Sequence, residues 1–423
     1  MIIDKFKNKS LFDVFYMVGS EISIKPLQLI KSIIVAKYLG PSSFGILKSV
    51  ELIQMLNKFG SLGFKPTIIR NVTTEKALGN ETNVINIKNT AYTSELILSI
   101  FIFILGISSS LFFENFVIST AIILSSLGLF TLKIYGLFQT ELRVNKEFKF
   151  LSKLTVIQGI VNSLLIILTV PFFEIYAVLI IPIISSLLIC FKAFQITGKF
   201  FLFKINLSEL KKILSVSLPL TFGTLAFGIF KYSERIIIIT FLGLNAVGLF
   251  GFAETIVNIF INILIGSVLK VRGIKILEDL SVKKYLEVHK MIYRETGLLI
   301  LVSIIIIIII AFSMNSLVPI FLPNWKNAIS ITILYSLSIP IKILSSYIAF
   351  VIKSPIVENL KFEPIMHLIN TFFMFVGLYI LKNYFELNLY NFLLVVLIIL
   401  MIMHLNYVLL YIQSYYFKFV YKK

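Results

Sequence analysis

The stretch "KYLGPSSFGILKSVELIQML" occupies residues 37–56 and is apolar over much of its length, yet it carries Lys48 and Glu51 three residues apart. The segment "TFLGLNAVGLFGFAETIVNI" at 240–259 has the same layout. Leu39-Gly40 recurs as Leu242-Gly243, Gly45 as Gly248 and Glu51 as Glu254, in each case 203 positions later (243 − 40 = 203). That offset is about half of the chain, so the sequence reads as an internal repeat of two halves.

Composition sets the solvent. The chain has 423 residues, of which 58% are hydrophobic and 14% charged, with a mean hydropathy of +0.96. Soluble domains run nearer 45–50% apolar and about 25% charged. Long apolar runs recur along the chain, the plainest being "GLLILVSIIIIIIIAF" at 297–312. A membrane-spanning helix needs about 20 such residues, and in lipid the backbone must satisfy its own hydrogen bonds, which makes Ile-rich runs acceptable as helix. The alternating ~10-residue segments of a transmembrane barrel are absent. The sequence predicts an all-α polytopic membrane protein. About twelve spans fit, near ~12–37, ~43–64, ~89–112, ~116–138, ~152–173, ~175–194, ~213–241, ~245–269, ~293–315, ~327–351, ~363–381 and ~389–413.

The net charge of +18 is distributed as a topology signal. Connections on one side, from Lys5 to Lys423, gather about 28 Lys and Arg, whereas the opposite side has about two, Lys326 and Lys382. Both termini are therefore expected on the cytoplasmic side, and the first helix is read as an uncleaved span. The basic segments 192–212 and 270–294 read as topology determinants and anionic-lipid contacts in preference to nucleic-acid binding. The expected organisation is two pseudo-symmetric six-helix lobes, 1–194 and 213–423, joined by a basic linker at 195–212. The one cysteine, Cys190, excludes an intramolecular disulfide and a Cys-based zinc site.

Charges inside spans are the candidate site. A charge at the bilayer centre costs ~2.5–3.5 kcal/mol even on insertion scales, so it faces a partner or a water-filled cavity. Glu21, Lys25, Lys31 and Lys37 fall in the first span, and Lys48, Glu51 and Lys58 in the second. Lys231, Glu234 and Arg235 fall in the seventh and Glu254 in the eighth, with Glu95, Lys133 and Lys342 elsewhere. Lys231 and Arg235 share a helical face, as do Glu21 and Lys25. Under the repeat offset, Lys31 corresponds to Glu234. Lys37, Lys48 and Lys58 have an alternative reading as snorkelling side chains near helix ends. Glu21–Lys25 could be a structural pair, and Glu51 and Glu254 could orient cations or hold helix pairs together. Pro26 in helix 1 and Pro219 in helix 7 each remove a helical hydrogen bond, as do Pro182 and Pro340 in helices 6 and 10; breaks in the corresponding helices 1 and 7 point to substrate-facing elements that move, although Pro26 and Pro219 do not match at the repeat offset. No P-loop, dinucleotide turn or H-x-x-x-H pattern is present, and His289, His367 and His404 are scattered.

Two stretches carry a resemblance. "AKYLGPSSFGILKSVELIQMLNKFGSLGFKPTIIRNV" is similar to the opening of the polysaccharide-exporter branch of the multidrug/oligosaccharidyl-lipid/polysaccharide (MOP) superfamily. "LPLTFGTLAFGIFKYSERIIIITFLGLNAVGLFGFAETI" resembles the start of that family's second half. The expected helix count resembles the O-antigen or capsule repeat-unit flippases (Wzx-type); two further helices, usual in the related lipid II flippases, are not seen. The resemblance implies a transporter, not an enzyme, in the bacterial inner membrane. It would move undecaprenyl-pyrophosphate-linked oligosaccharide by alternating access of its lobes, in the service of capsule or lipopolysaccharide assembly. The pyrophosphate and glycan would meet a cationic cavity of Lys25, Lys31, Lys48, Lys231 and Arg235. Glu51, Glu234 and Glu254 would tune those cations or carry a coupling proton. The resemblance implies no cofactor beyond H+ or Na+, a monomer, contact with membrane lipids and with other polysaccharide-assembly proteins, and no nucleic acid. The rival functions are a multidrug or cation antiporter of the same superfamily, a membrane polysaccharide polymerase or lipid-carrier glycosyltransferase, and a purely structural membrane protein. Bases outnumber acids in helices 1 and 7, which speaks against the antiporter; the short outer loops speak against the enzymes.

Overall fold

In a computed structural model, the described residues are 2–52, 62–77, 79–145, 147–198, 203–267, 276, 279, 284–352 and 362–414. Side chains of the first helix are described from Gly19 onward, except Glu21 and Ile22. The expected second span therefore lies partly outside the described residues, together with Lys58, as do parts of the basic segments 192–212 and 270–294.

All regular structure among the described residues is helical. The helices are α1 (Ile2–Val50), α2 (Phe64–Ala77), α3 (Glu81–Ser110), α4 (Phe116–Val144), α5 (Phe148–Thr197) and α6 (Leu207–Ile261). They continue as α7 (Tyr285–Phe321), α8 (Ala328–Ser336), α9 (Ser338–Ile352), α10 (Phe362–Tyr384) and α11 (Leu389–Ser414). A π-helical turn, Asn262–Ser267, follows α6, and a 3-10 turn, Pro323–Trp325, precedes α8. Eight of the described helical segments are long and apolar enough to cross a membrane. Large apolar side chains such as Leu168, Phe172, Leu301 and Ile308 stand on the surface, where a bilayer in place of water removes the cost of exposing them. The chain is a multi-pass membrane protein.

Three helices are too long for one crossing. At 1.5 Å per residue, the 55 residues of α6 would extend about 83 Å, against a hydrocarbon core of about 30 Å. Each long helix is broken by one residue: Gly40 in α1 (φ 67°), Glu174 in α5 (φ 44°) and Gly243 in α6 (φ 82°). Where the sequence suggests a loop between the first two spans, the chain turns on Gly40 alone and remains helical to Val50. Gly40 and Gly243 belong to the two copies of the Leu-Gly motif, and a left-handed backbone is open to glycine at little cost. Glu174 takes the same region without that freedom, which stores strain of order 1–3 kcal/mol. The expected tenth span is divided into α8 and α9 at Leu337, three residues before Pro340.

The chain forms two compact units, Met1–Leu39 with Ile46–Gly228, and Gly40–Gly45 with Ile229–Lys423. In the first unit, α2, α3 and α4 surround a core of Phe64, Ile68, Tyr92 and Leu137. Tyr135, Leu142, Leu151 and Ile189 join α4 to both arms of α5. In the second, the segment Gly40–Gly45 packs beside the kink of α6. A Cβ at Gly45 would meet the Leu244 carbonyl, and one at Gly248 would meet the Pro41 carbonyl. The contact is reciprocal, and it demands a residue without a side chain at both positions. Trp325, the sole tryptophan of the chain, is buried there, its ring 4.7 Å from Phe252 and 5.4 Å edge-on to Phe44.

Candidate functional site

The ionisable residues of the spans gather into separate polar clusters, and each unit is described by itself. In the first unit, Lys48 and Glu51 form an ion pair at 2.7 Å, at the end of α1. Lys31, lower on the same helix and half-buried, lies within electrostatic reach of both. Lys25 is also half-buried and donates to the Gln28 side chain at 3.4 Å. The cations of this cluster are partly exposed and held by local partners. Such a pair gains modest Coulomb energy, typically below about 1 kcal/mol.

In the second unit, the partner is shared and buried. Lys231 and Arg235, one turn apart on α6, both reach Glu254 beyond the kink of the same helix. Lys231 Nζ is 3.5 Å from Glu254 Oε1, and Arg235 donates directly to Oε2. Asn258 donates to Oε1 at 3.3 Å. Glu234 is next to Arg235 in sequence, so it projects about 100° away around the helix. It lies within electrostatic reach of Lys342 on α9. Lys342 donates to the Tyr335 hydroxyl at 3.4 Å and sits 5.1 Å from the ring centre. Arg235, Glu234 and Glu254 are all nearly inaccessible. Removing one partner of such a set leaves an uncompensated buried charge.

The structure therefore brings Lys231, Arg235 and Glu254 together, places Glu234 beside them, and separately joins Lys31 with Lys48 and Glu51. Lys25 remains apart on its own turn. Lys342, named from the sequence among the charges inside spans but not among the cavity cations, joins this cluster: it has no charged counterpart in the repeat, and its one signal is that it is a lone cation within an apolar run.

Further buried charges have structural partners. Glu95 on α3 receives Lys65 and Lys133, each at 3.7 Å, with Lys133 almost wholly enclosed. Glu141 receives Lys88 at 2.6 Å and the Tyr92 hydroxyl at 2.9 Å. The histidines are separated: His289 contacts the Tyr411 hydroxyl at 3.2 Å, His404 contacts Ser345, and His367 stacks on Phe230. No group of His, Cys, Asp and Glu able to hold a metal ion occurs among the described residues.

Such a site can neutralise an anion in a low-dielectric setting or exchange a proton or cation at its carboxylates. Comparison with known proteins narrows the setting. Among curated proteins no sequence matches the chain. Solved structures do match it over nearly the full length. An inward-facing multidrug resistance MATE family transporter of the MOP superfamily aligns with a TM-score of 0.74, covering 94% of this chain and 98% of that chain at 15% identity. The outward-facing form of such a transporter aligns at 0.64 and 15% identity, covering 95% of each chain. A MOP superfamily transporter from Pyrococcus furiosus, whose binding pocket of reverse polarity suggests a different function for it, aligns at 0.62 and 13% identity, again covering 95% of each. At these identities the likeness shows the fold. The profile of the family described as polysaccharide biosynthesis protein matches residues 10–271, well over half of the sequence, and the chain belongs to that family.

Proposed function

We propose that this protein is a flippase for undecaprenyl-pyrophosphate-linked oligosaccharide repeat units of O-antigen or capsule type in the bacterial inner membrane. The observation that carries the reading is the charge balance of the two clusters. Lys31 and Lys48 stand with Glu51 in one, and Lys231, Arg235 and Lys342 stand with Glu234 and Glu254 in the other. Both are net cationic, as an anionic pyrophosphate requires, and charge-assisted bonds to phosphate are among the strongest a protein makes. Export of an organic cation would instead call for an excess of carboxylates. The polysaccharide biosynthesis family supports the same substrate class.

In this reading the two lobes give alternating access, the cationic residues neutralise the head group as it crosses, and the prenyl tail stays in lipid. Glu51, Glu234 and Glu254 hold the cations charged and carry the coupling proton or Na+. Both termini face the cytoplasm, the working unit is a monomer, and the partners are the lipid-linked oligosaccharide and other polysaccharide-assembly proteins.

A strain lacking its own repeat-unit flippase, supplied with the native glycan pathway, tests this directly. Wild type should restore surface polysaccharide. Lys31→Ala and Arg235→Ala, present in the membrane at equal amounts, should leave repeat units trapped on the inner leaflet. Failure of wild type with its native repeat unit refutes the flippase. Export of organic cations by that same wild type would establish the antiporter reading in its place.

A further inference from the structure

A third ion cluster lies inside the first unit, where α2, α3 and α4 meet. Glu95 Oε1 on α3 is 3.7 Å from Lys65 Nζ on α2 and 3.7 Å from Lys133 Nζ on α4. Along their helices Lys65, Glu95 and Lys133 stand about 18, 21 and 17 Å from Ala77, Glu81 and Val144, at 1.5 Å per residue. Those ends are tied together, with Lys76 donating to Asn145 at 2.7 Å. Half of a hydrocarbon core is about 15 Å, so the cluster is near the middle of the membrane, although Lys65 falls just past the expected second span at ~43–64.

Charge at that depth is costly and is normally balanced. Here one carboxylate faces two ammonium groups. Glu141, the other buried carboxylate of these helices among the described residues, is taken by Lys88 and the Tyr92 hydroxyl. Arg143, within electrostatic reach of Lys65, is a further cation. The two lysines share the surplus unequally. Lys133 is 1% exposed, and its ammonium has no hydrogen-bond partner among the described residues, so Glu95 is its counter-charge. The Lys65 side chain is 27% exposed. Lipid solvates an ammonium poorly, so that open part faces water. Gly136 forms the notch in α4 that Lys65 uses, since a Cβ there would stand 2.3 Å from Nζ. At 3.7 Å Glu95 is beyond hydrogen-bond reach of Lys65, whose three N–H donors suit a second acceptor. Packing alone does not select this arrangement, because deleting Lys65 would leave Lys133 and Glu95 matched one to one.

Given the flippase reading above, on which this rests, we infer that Lys65 is a further binding residue for the transported anion, its ammonium bonding a phosphate oxygen of the lipid-linked head group. Lys133 is the positioning residue: it occupies Glu95 and so leaves the Lys65 charge unmatched. An ammonium near the midplane meets the head group part-way through its crossing, where a charge-assisted bond is stronger than in bulk water.

Binding of undecaprenyl pyrophosphate and of undecaprenol to the purified full-length protein in detergent, beside thermal melting, tests the contact. Wild type should bind the pyrophosphate far more tightly than the alcohol. Lys65→Gln should weaken the pyrophosphate about tenfold, the scale of one charge-assisted hydrogen bond, and leave the alcohol unchanged. It should melt no lower than wild type, and Lys65→Arg should recover most of the binding. Lys133→Met, which gives Glu95 over to Lys65, should also weaken the pyrophosphate, by less. A wild type that holds pyrophosphate and alcohol alike overturns the flippase reading and this contact with it. A wild type that prefers the pyrophosphate, with Lys65→Gln equal to it, overturns the contact alone. So does a fall in melting temperature for Lys65→Gln as large as that of Glu95→Gln, which leaves two unmatched ammonium groups. Unchanged binding by Lys133→Met overturns its positioning role.

Discussion

The two charge clusters use similar residues under different constraints. Lys48 and Glu51 are three residues apart on one helical turn and remain partly exposed, at 13% and 27% for their side chains. Arg235 and Glu254 are 19 residues apart, lie on opposite sides of the Gly243 kink, and are exposed by only 5% and 7%. The first pair would form in an isolated helix. The second forms only when the kink folds α6 back on itself, so it holds tertiary structure as well as charge. Repeat-related carboxylates thus differ in what depends on them.

The largest effect that breaks this comparison is Glu254→Gln. It strips Arg235 and Lys231 of their shared counter-charge, and breaking a buried pair costs about 3–5 kcal/mol. Thermal melting in detergent should show it, together with lost transport. If the variant melts like wild type, the second cluster is no more structural than the first. Next in size is Gly248→Ala, whose methyl meets the backbone of Pro41; overpacking of this kind costs about 1–3 kcal/mol. Gly45→Ala should match it through Leu244, and a large difference between the two would show that the contact is not reciprocal in energy.

Lys48→Met sharpens the contrast from the other side. A partly exposed pair is worth at most about 1 kcal/mol, so the melting temperature should barely move while surface polysaccharide falls. The smallest effect belongs to Glu75, outside the membrane segments. Its carboxylate accepts from Asn80 at 2.9 Å and Asn83 at 3.2 Å, and the Asn80 bond above all holds its pKa below the ordinary value. A depressed carboxylate contributes stability that is present above its unfolded pKa and is lost as pH falls through the folded one. Glu75→Gln should therefore melt slightly lower than wild type at pH 7, and the gap should close in acid.

Much of this was legible in the residues. The membrane class follows from composition, and the Leu-Gly motif marks Gly40 and Gly243, where both kinks fall. Lys231 and Arg235 share a face by spacing, and both meet Glu254. What was not legible depends on packing. Periodicity tells which face a residue occupies but not which helix stands opposite, so Lys342, one isolated cation on α9, joins Glu234 without any sequence signal of it. The boundary expected between ~152–173 and ~175–194 falls at Glu174; that one residue makes the turn inside an otherwise continuous helix was hidden, because Glu174 has none of the composition of a turn.

The burial of Trp325 against Phe44 and Phe252 has a spectroscopic consequence. With one indole in the chain, emission excited at the red edge of tyrosine absorption comes from a single place, where Gly40–Gly45 meets the helix bearing Gly248. Any rearrangement that separates Phe44 from the indole should shift and quench that light, so the native protein carries an optical gauge of this seam without a label.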